Sequence, residues 1–420
     1  MGRCAWRRAE HATTACPPAR RLPPVTVLAG RPLTPAQRPA RILPAIIVSQ
    51  LAGSSTWFAG NAILQDLERA WHLAPGAVGS ITSAVQLGFI AGTLVFALAA
   101  IADRFSPQLV FLLCAIAGAL ANAALLVAPQ GLTTLLACRF VTGFFLAGIY
   151  PVGMKIASGW YQGGLGGALG YLVGALILGT SFPHLLKALG QAWAWESVIA
   201  GVSLASVAGG AVMFLLVPDG PHLSKSPKFD PRALARVFAV REFRASACGY
   251  FGHMWELYAF LAFAPLAIAR HAAPGDVPFW SFWVIAAGAL GCVAGGIVSK
   301  HAGSARVAAA QLAASGLCCV ASPWLLVAPA PLALGFLVFW GVVVSGDSPQ
   351  FSALNAASAP REWVGSALTI ANCIGFSITI ASLSLLGALA SRIPVEWLFV
   401  VLAPGPALGL AAMRPLLRRG

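Results

Sequence analysis

In the stretch GHMWELY, positions 252–258, a histidine and a carboxylate stand three residues apart. On a helix that spacing puts His253 and Glu256 on one face, with Tyr250 a turn earlier. A carboxylate that takes up and releases a proton needs a partly dry setting and a base close enough to trade with, and this pair offers both. The alternative is a structural polar pair whose members satisfy each other. Trp255 and Tyr258, beside them, suit a flat or apolar solute, or serve as core aromatics. A second group lies in SGDSPQFSALN, positions 345–355, where Ser345, Ser348, Ser352 and Asn355 share a stripe with Asp347 and Gln350 close by. Pro349 there removes a backbone donor and can kink a helix, freeing a carbonyl for a ligand or water.

Three more polar groups complete the set. Arg139 can pair with an anionic solute or with an acid elsewhere in the chain. Lys155 is expected to snorkel towards a membrane surface. Gln50, Ser54, Thr56 and Asn61 form a neutral polar face. The candidate proton-handling residues are Glu256, His253, Asp347 and Arg139. The candidate lining of a solute cavity is Gln50, Trp57, Asn61, Tyr150, Tyr250, Trp255, Gln350 and Asn355. His184 is expected at an interface. No nucleophile elbow and no metal-ligand set accompanies these residues, so the expectation is a non-enzyme without cofactor or metal.

The segments that carry these residues are apolar. Charged residues make up 10% and hydrophobic residues 58% of the 420, at a mean hydropathy of +0.80, a balance outside the range of soluble domains. Runs of about 20 apolar residues recur, which predicts membrane-spanning helices rather than the short alternating strands of a barrel. They fall at 41–64, 77–101, 108–127, 132–158, 164–186 and 195–217, then at 244–269, 278–299, 306–328, 331–357, 365–389 and 394–413. The fold class is all-α, with twelve transmembrane helices. His253, Glu256, Asp347, Arg139 and Lys155 all lie on the first or fourth span of a half, and charge at that depth is costly unless it meets water or a partner.

Residues 1–40 read as a disordered basic, proline-rich leader, 218–243 as a linker, and 414–420 as a basic tail. The linker carries Asp230-Pro231, a helix-start signal, before a short amphipathic stretch suited to a membrane surface; the alternative is a disordered linker. Placing both termini in the cytoplasm puts fourteen Lys and Arg on the cytoplasmic side and four on the other, leaving the leader aside. A formal charge of +14 therefore reads as loop topology rather than nucleic-acid binding. Seven of the nine cysteines fall within spans and read as buried small hydrophobes.

The halves match at an offset of about 198 residues: Trp57 on Trp255, AGIYP (147–151) on SGDSP (345–349), and Gly143 on Gly341. These pairs describe two parallel six-helix repeats, 41–217 and 244–413. In the fifth span Gly166, Gly170 and Gly174 recur every four residues, which allows close helix packing or a sliding contact.

Two six-span repeats joined by a basic loop resemble the major facilitator superfamily. ADRFSPQ (102–108) is similar to that family's loop signature between second and third spans, with Asp103 and Arg104 at its Asp-Arg, although Ser106 and Pro107 replace a Gly-Arg. RFVTGFFLAG (139–148) is similar to the family's fourth-span R-x-x-x-G signature, whose arginine is often tied to proton coupling. The resemblance implies two pseudo-symmetric bundles around a central cavity, with Asp103 and Arg104 forming a conformational-switch loop. The plainer reading of that loop is a polar turn. The expected function is secondary active transport of a small solute by alternating access, coupled to a proton or substrate gradient. A transporter-like sensor that binds without translocation is the alternative. No G-K-[ST] sequence is present to hold ATP phosphates. The expected partners are a small-molecule solute, protons and the lipid bilayer, with no nucleic acid, for a monomer in a cell membrane of the bacterial inner type.

Overall fold

A computed structural model describes residues 39–73, 76–161, 165–190, 194–223, 230 and 232–418. Nearly all of the predicted leader, the middle of the linker with Pro231, and the last two residues of the tail lie outside the described residues. Every regular element among the described residues is a helix. Eleven are long and apolar enough to cross a bilayer, from Val78–Leu98 to Val395–Leu417. The first span supplies the twelfth crossing in pieces: Ile42–Ser54, Ala59–Ala62 and Leu64–Ala70.

That interruption corrects the expectation of a continuous first helix at 41–64. Residues 55–58 form turns instead, and the Thr56 and Trp57 carbonyls need partners that the helix no longer supplies. The fourth span is also divided, into Leu132–Leu146 and Tyr150–Trp160, as is the tenth, into Ala330–Gly346 and Ser348–Ser358. Each second piece carries a proline in its first turn, Pro151 and Pro349, where a missing N–H costs nothing. The two breaks sit 198 residues apart, at the offset of the sequence repeat.

The connections are short. The eighth span, Val277–Ala302, is followed after one residue by the ninth, Ser304–Leu325. Gly303 makes that reversal with φ of 83°, a conformation in which a side chain would be strained. The linker forms the helix Ala233–Ala239, preceded by Asp230, whose Oδ1 accepts the Arg232 N–H at 2.8 Å. Val237 of this helix is buried with Phe243 and Ala367, Leu234 is exposed, and Arg236 lies over the Trp363 ring.

The halves meet along two pairs of long helices. The fifth span packs on the eighth, and the second, Val78–Leu98, on the eleventh, Val364–Leu389. Gly170 faces the Cys292 carbonyl and Gly174 the Ala289 carbonyl, so the glycine stripe lies in the contact between halves. The basic ends of the helices share one face, where Gly167 stands against Lys300 and the Gly159 carbonyl accepts from His222 N–H. On the opposite face Lys187 pairs with Asp66 at 2.6 Å. All seven cysteines that the structure describes are free thiols; Cys114, Cys292, Cys318 and Cys319 are buried and the others partly so.

Candidate functional site

The tenth-span break places Asp347 and Ser348 against the middle of the seventh span, Arg241–Ile268. His253 Nδ1 lies 2.8 Å from Asp347 Oδ1, with both side chains fully buried. This is an ion-pair distance, although its angles fall short of a linear hydrogen bond. On the other side of the ring, Nε2 is 2.6 Å from Ser348 Oγ. Phe351 and Tyr250 flank the imidazole at centroid distances of 5.8 and 6.1 Å.

Glu256 takes a different direction. Its Oε2 accepts the Cys319 thiol at 3.4 Å, so the carboxyl points into the ninth span with Ser315 beside it. The i, i+3 spacing did bring His253 and Glu256 to one side of the helix, but neighbouring spans divide them. Neither His253, Glu256 nor Asp347 faces the space between the halves.

That space is a pocket of about 30 Å³, room for little more than one water molecule. Tyr150, Tyr250, Tyr258, Met254, Ser348, Ser352, Asn372 and Phe376 line it, together with Val173, Leu176 and Ile177 of the fifth span. Both halves contribute, and the lining has no formal charge at neutral pH. Tyr250 O–H donates to Asn372 Oδ1 at 3.2 Å. None of the five ionisable residues at membrane depth lines this pocket: His253, Glu256, Arg139 and Lys155 bond to other protein groups, and Asp347 lies at ion-pair distance from His253.

Arg139 is the clearest case. One guanidinium nitrogen, Nη2, donates to the carbonyls of Thr56 and Trp57 at 2.6 and 2.7 Å, and Nη1 to Asn122 Oδ1 at 2.8 Å. No carboxylate among the described residues pairs with it. Instead it satisfies the carbonyls exposed by the first-span interruption, just past the C-terminal, partially negative end of helix Ile42–Ser54. Lys155 reaches the loop between the second and third spans. Its Nζ donates to Asp103 Oδ1 at 2.5 Å and to the Ala102 carbonyl at 2.8 Å, tying the second-to-third loop to the fourth span. Arg104 is exposed on the same loop.

Of the predicted cavity residues, Tyr150 and Tyr250 reach the pocket. Trp57 is buried above it, stacked on Tyr258 and Phe376 at 5.8 Å each and tilted against Phe89 at 5.0 Å. Trp255 points away, its Nε1 donating to Val401 O in the twelfth span. Gln50 donates to Ser54 Oγ, Asn61 to Thr82 Oγ1, and Asn355 accepts from Ser246 Oγ. Gln350 is buried in the second piece of the tenth span, away from the pocket. His184, expected at an interface, is buried in the fifth span. Sequence reasoning missed Asn372 and Phe376 altogether, because an amide and an aromatic on an otherwise apolar eleventh span carry no distinctive spacing.

On the face opposite the basic one, a wide vestibule of about 530 Å³ opens between the halves, lined by Gln65, Glu68, Arg69, Leu73, Ala269, Pro274 and Val277. The aromatic cluster of Trp57, Phe58, Phe89, Tyr258 and Phe376 separates it from the pocket. Along the seventh span the order is Ala269 in the vestibule, Tyr258 in the cluster, then Met254 and Tyr250 in the pocket.

Comparison with known proteins fits this architecture. The family model described as Major Facilitator Superfamily matches residues 45–383. The niacin transporter NiaP of Acinetobacter baylyi is 35% identical over 132 residues, 29% of this chain and 29% of its own length. The chain thus matches under a third of that relative. The human organic anion transporter MFSD10 superposes with a TM-score of 0.67 at 14% identity, over 90% of this chain and all of the other. The proton:xylose symporter XylE, solved with 6-bromo-6-deoxy-D-glucose, gives 0.70 at 13% identity, over 90% and 96%. At these identities the two structures speak for the fold alone.

Proposed function

The chain belongs to the major facilitator superfamily, a family of membrane carriers, and on that premise we propose that it is a proton-coupled secondary transporter of a small solute. The observation that carries the coupling is the fully buried His253–Asp347 pair at a helix break, one residue behind the wall of a pocket shared by both halves. A titratable pair placed there feels both the pocket and the packing of the tenth span, so its proton and the pocket's occupant can bias the same movement. Glu256, held by Cys319 just under one turn further along the seventh span, is the second carboxyl of the network. The units that move are the bundles 41–217 and 244–413, joined by the 218–243 linker, with the basic face in the cytoplasm of a bacterial inner membrane and the chain working as a monomer.

The uncharged, tyrosine-rich lining with one amide and two serines suits a small planar solute that carries one polar group. The niacin carried by the A. baylyi relative is likewise small and planar, which makes nicotinate the first compound to assay. A thermal-shift screen of the purified chain should place nicotinate above sugars, inorganic anions and lipophilic cations in stabilising the folded state. Proteoliposomes with an imposed pH gradient then test transport. Gradient-driven accumulation of the stabilising solute is expected in the wild type and is expected to be lost in Glu256→Gln, which leaves the protein folded. Unchanged accumulation in that variant would refute the role of Glu256, and a ligand that stabilises but never crosses would identify a sensor.

A further inference from the structure

On the reading that the His253–Asp347 pair exchanges a proton during transport, we infer that Ser348 is the positioning residue through which the pocket reaches that pair. His253 and Asp347 are fully buried, whereas Ser348 lines the pocket. Its Oγ is 2.6 Å from His253 Nε2, and His253 Nδ1 is 2.8 Å from Asp347 Oδ1. With the serine hydroxyl donating to Nε2, the neutral imidazole carries its proton on Nδ1, the nitrogen that faces the carboxylate. Pocket, hydroxyl, imidazole and carboxylate then form one chain of donors and acceptors. A small rotation of either side chain aligns the last link.

The transfer balances. A proton arriving from the pocket on Ser348 Oγ is matched by release of the hydroxyl proton to Nε2 and of the Nδ1 proton to Asp347 Oδ1. One proton moves inward, and the reverse passage restores the first tautomer. The other titratable groups around the imidazole offer no equivalent route. Tyr250, on the same helix and in the same pocket wall, gives its hydroxyl proton to Asn372 Oδ1. Glu256 and Cys319 bond each other within the seventh and ninth spans, and Cys292 of the eighth donates to the Ser345 carbonyl. The order serine, histidine, aspartate also occurs in hydrolases, but here the residue after the serine is Pro349, which has no N–H to place in an oxyanion hole.

The test uses full-length protein in lipid nanodiscs and follows the carboxyl C=O stretch of Asp347 by infrared spectroscopy after a pH jump, the band being assigned by its absence in Asp347→Asn. Ser348→Ala is expected to slow the protonation change by about tenfold or more, the scale of one lost hydrogen bond in a buried chain. Ser348→Thr keeps the hydroxyl and is expected to restore the rate, which a merely structural role would not require. A Ser348→Ala protein that responds at the wild-type rate overturns the assignment of Ser348 while leaving proton coupling in place. A wild-type band that ignores pH overturns the coupling itself. Covalent capture of Ser348 by a fluorophosphonate would overturn the relay in favour of a nucleophile.

Discussion

Arg139 brings a full charge into the first piece of the fourth span and finds carbonyl oxygens there rather than a carboxylate. Guanidinium suits this task because its planar fork reaches Asn122 with one nitrogen and two consecutive carbonyls with another. Asn122 passes the bonding on, donating to Ser203 Oγ at 3.0 Å, so the sixth span is braced by the same network. Replacing Arg139 by methionine leaves three buried acceptors short of donors, at about 1–3 kcal/mol each. A clear fall in the thermal unfolding midpoint in detergent is expected, and Arg139→Lys should recover only part of it, because a single ammonium cannot occupy both positions. An unchanged midpoint in Arg139→Met would show that the first-span turn holds itself. The residue types at 139, 253 and 347 stood out in the sequence because charge in an apolar run is rare. Their partners did not, because Thr56 and Trp57 contribute backbone atoms, which every residue has.

At the level of elements, helix contact without a hydrophobic driving force depends on small residues that let backbones approach. Gly88 of the second span faces the Phe140 carbonyl of the fourth so closely that a Cβ would overlap it. Gly335, in the first piece of the tenth span, has nothing within 4 Å of where its Cβ would stand. The two alanine substitutions should therefore differ in sign. Gly88→Ala is expected to destabilise by about 1–3 kcal/mol through overpacking, whereas Gly335→Ala is expected to stabilise by about 0.5–1 kcal/mol through lower backbone entropy in the unfolded chain. Equal midpoints for both variants would mean that the helices yield to accommodate the methyl. The glycine stripe of the fifth span sorts the same way: a Cβ at Gly174 meets the Ala289 carbonyl at an ordinary 3.5 Å, while one at Gly170 meets the Cys292 carbonyl at 2.9 Å. Among the interrupted spans, the fourth and tenth announced themselves by Pro151 and Pro349. The first did not, since its break is held by an arginine some 80 residues away.

For the whole molecule, the described residues close around a pocket too small for an organic solute, with a broad vestibule on the face opposite the basic one. The partition between them is aromatic and drawn from both halves: Trp57, Phe58 and Phe89 on one side, Tyr258 and Phe376 on the other. Trp57→Ala removes the ring that touches three of these, so water and small reagents should pass from vestibule to pocket more readily. With a cysteine placed at Ser352, in the pocket wall, labelling by a membrane-impermeant thiol reagent added on the vestibule side is expected to rise several-fold on Trp57→Ala. Labelling that stays the same would place the barrier elsewhere. Trp57 and Trp255 occupy matching positions in the repeat, yet the first closes the gap between the halves and the second packs on Gly405 and Val401. Internal symmetry in the chain thus transferred helix positions but not side-chain roles.

The amino-acid sequence by itself determined the membrane class, the twelve crossings, the pairing of the halves at one offset and the charge bias between the faces. These follow from summed hydropathy and composition, which a solvent of low polarity reads locally, about 20 residues at a time. Only the tertiary structure decided where each buried polar group points. On a helix wrapped by neighbours on every side, a few tens of degrees of rotation choose between the pocket and an adjacent span. That rotation is set by packing across segments far apart in the chain, as Glu256 facing Cys319 and Arg139 holding Thr56 and Trp57 both illustrate.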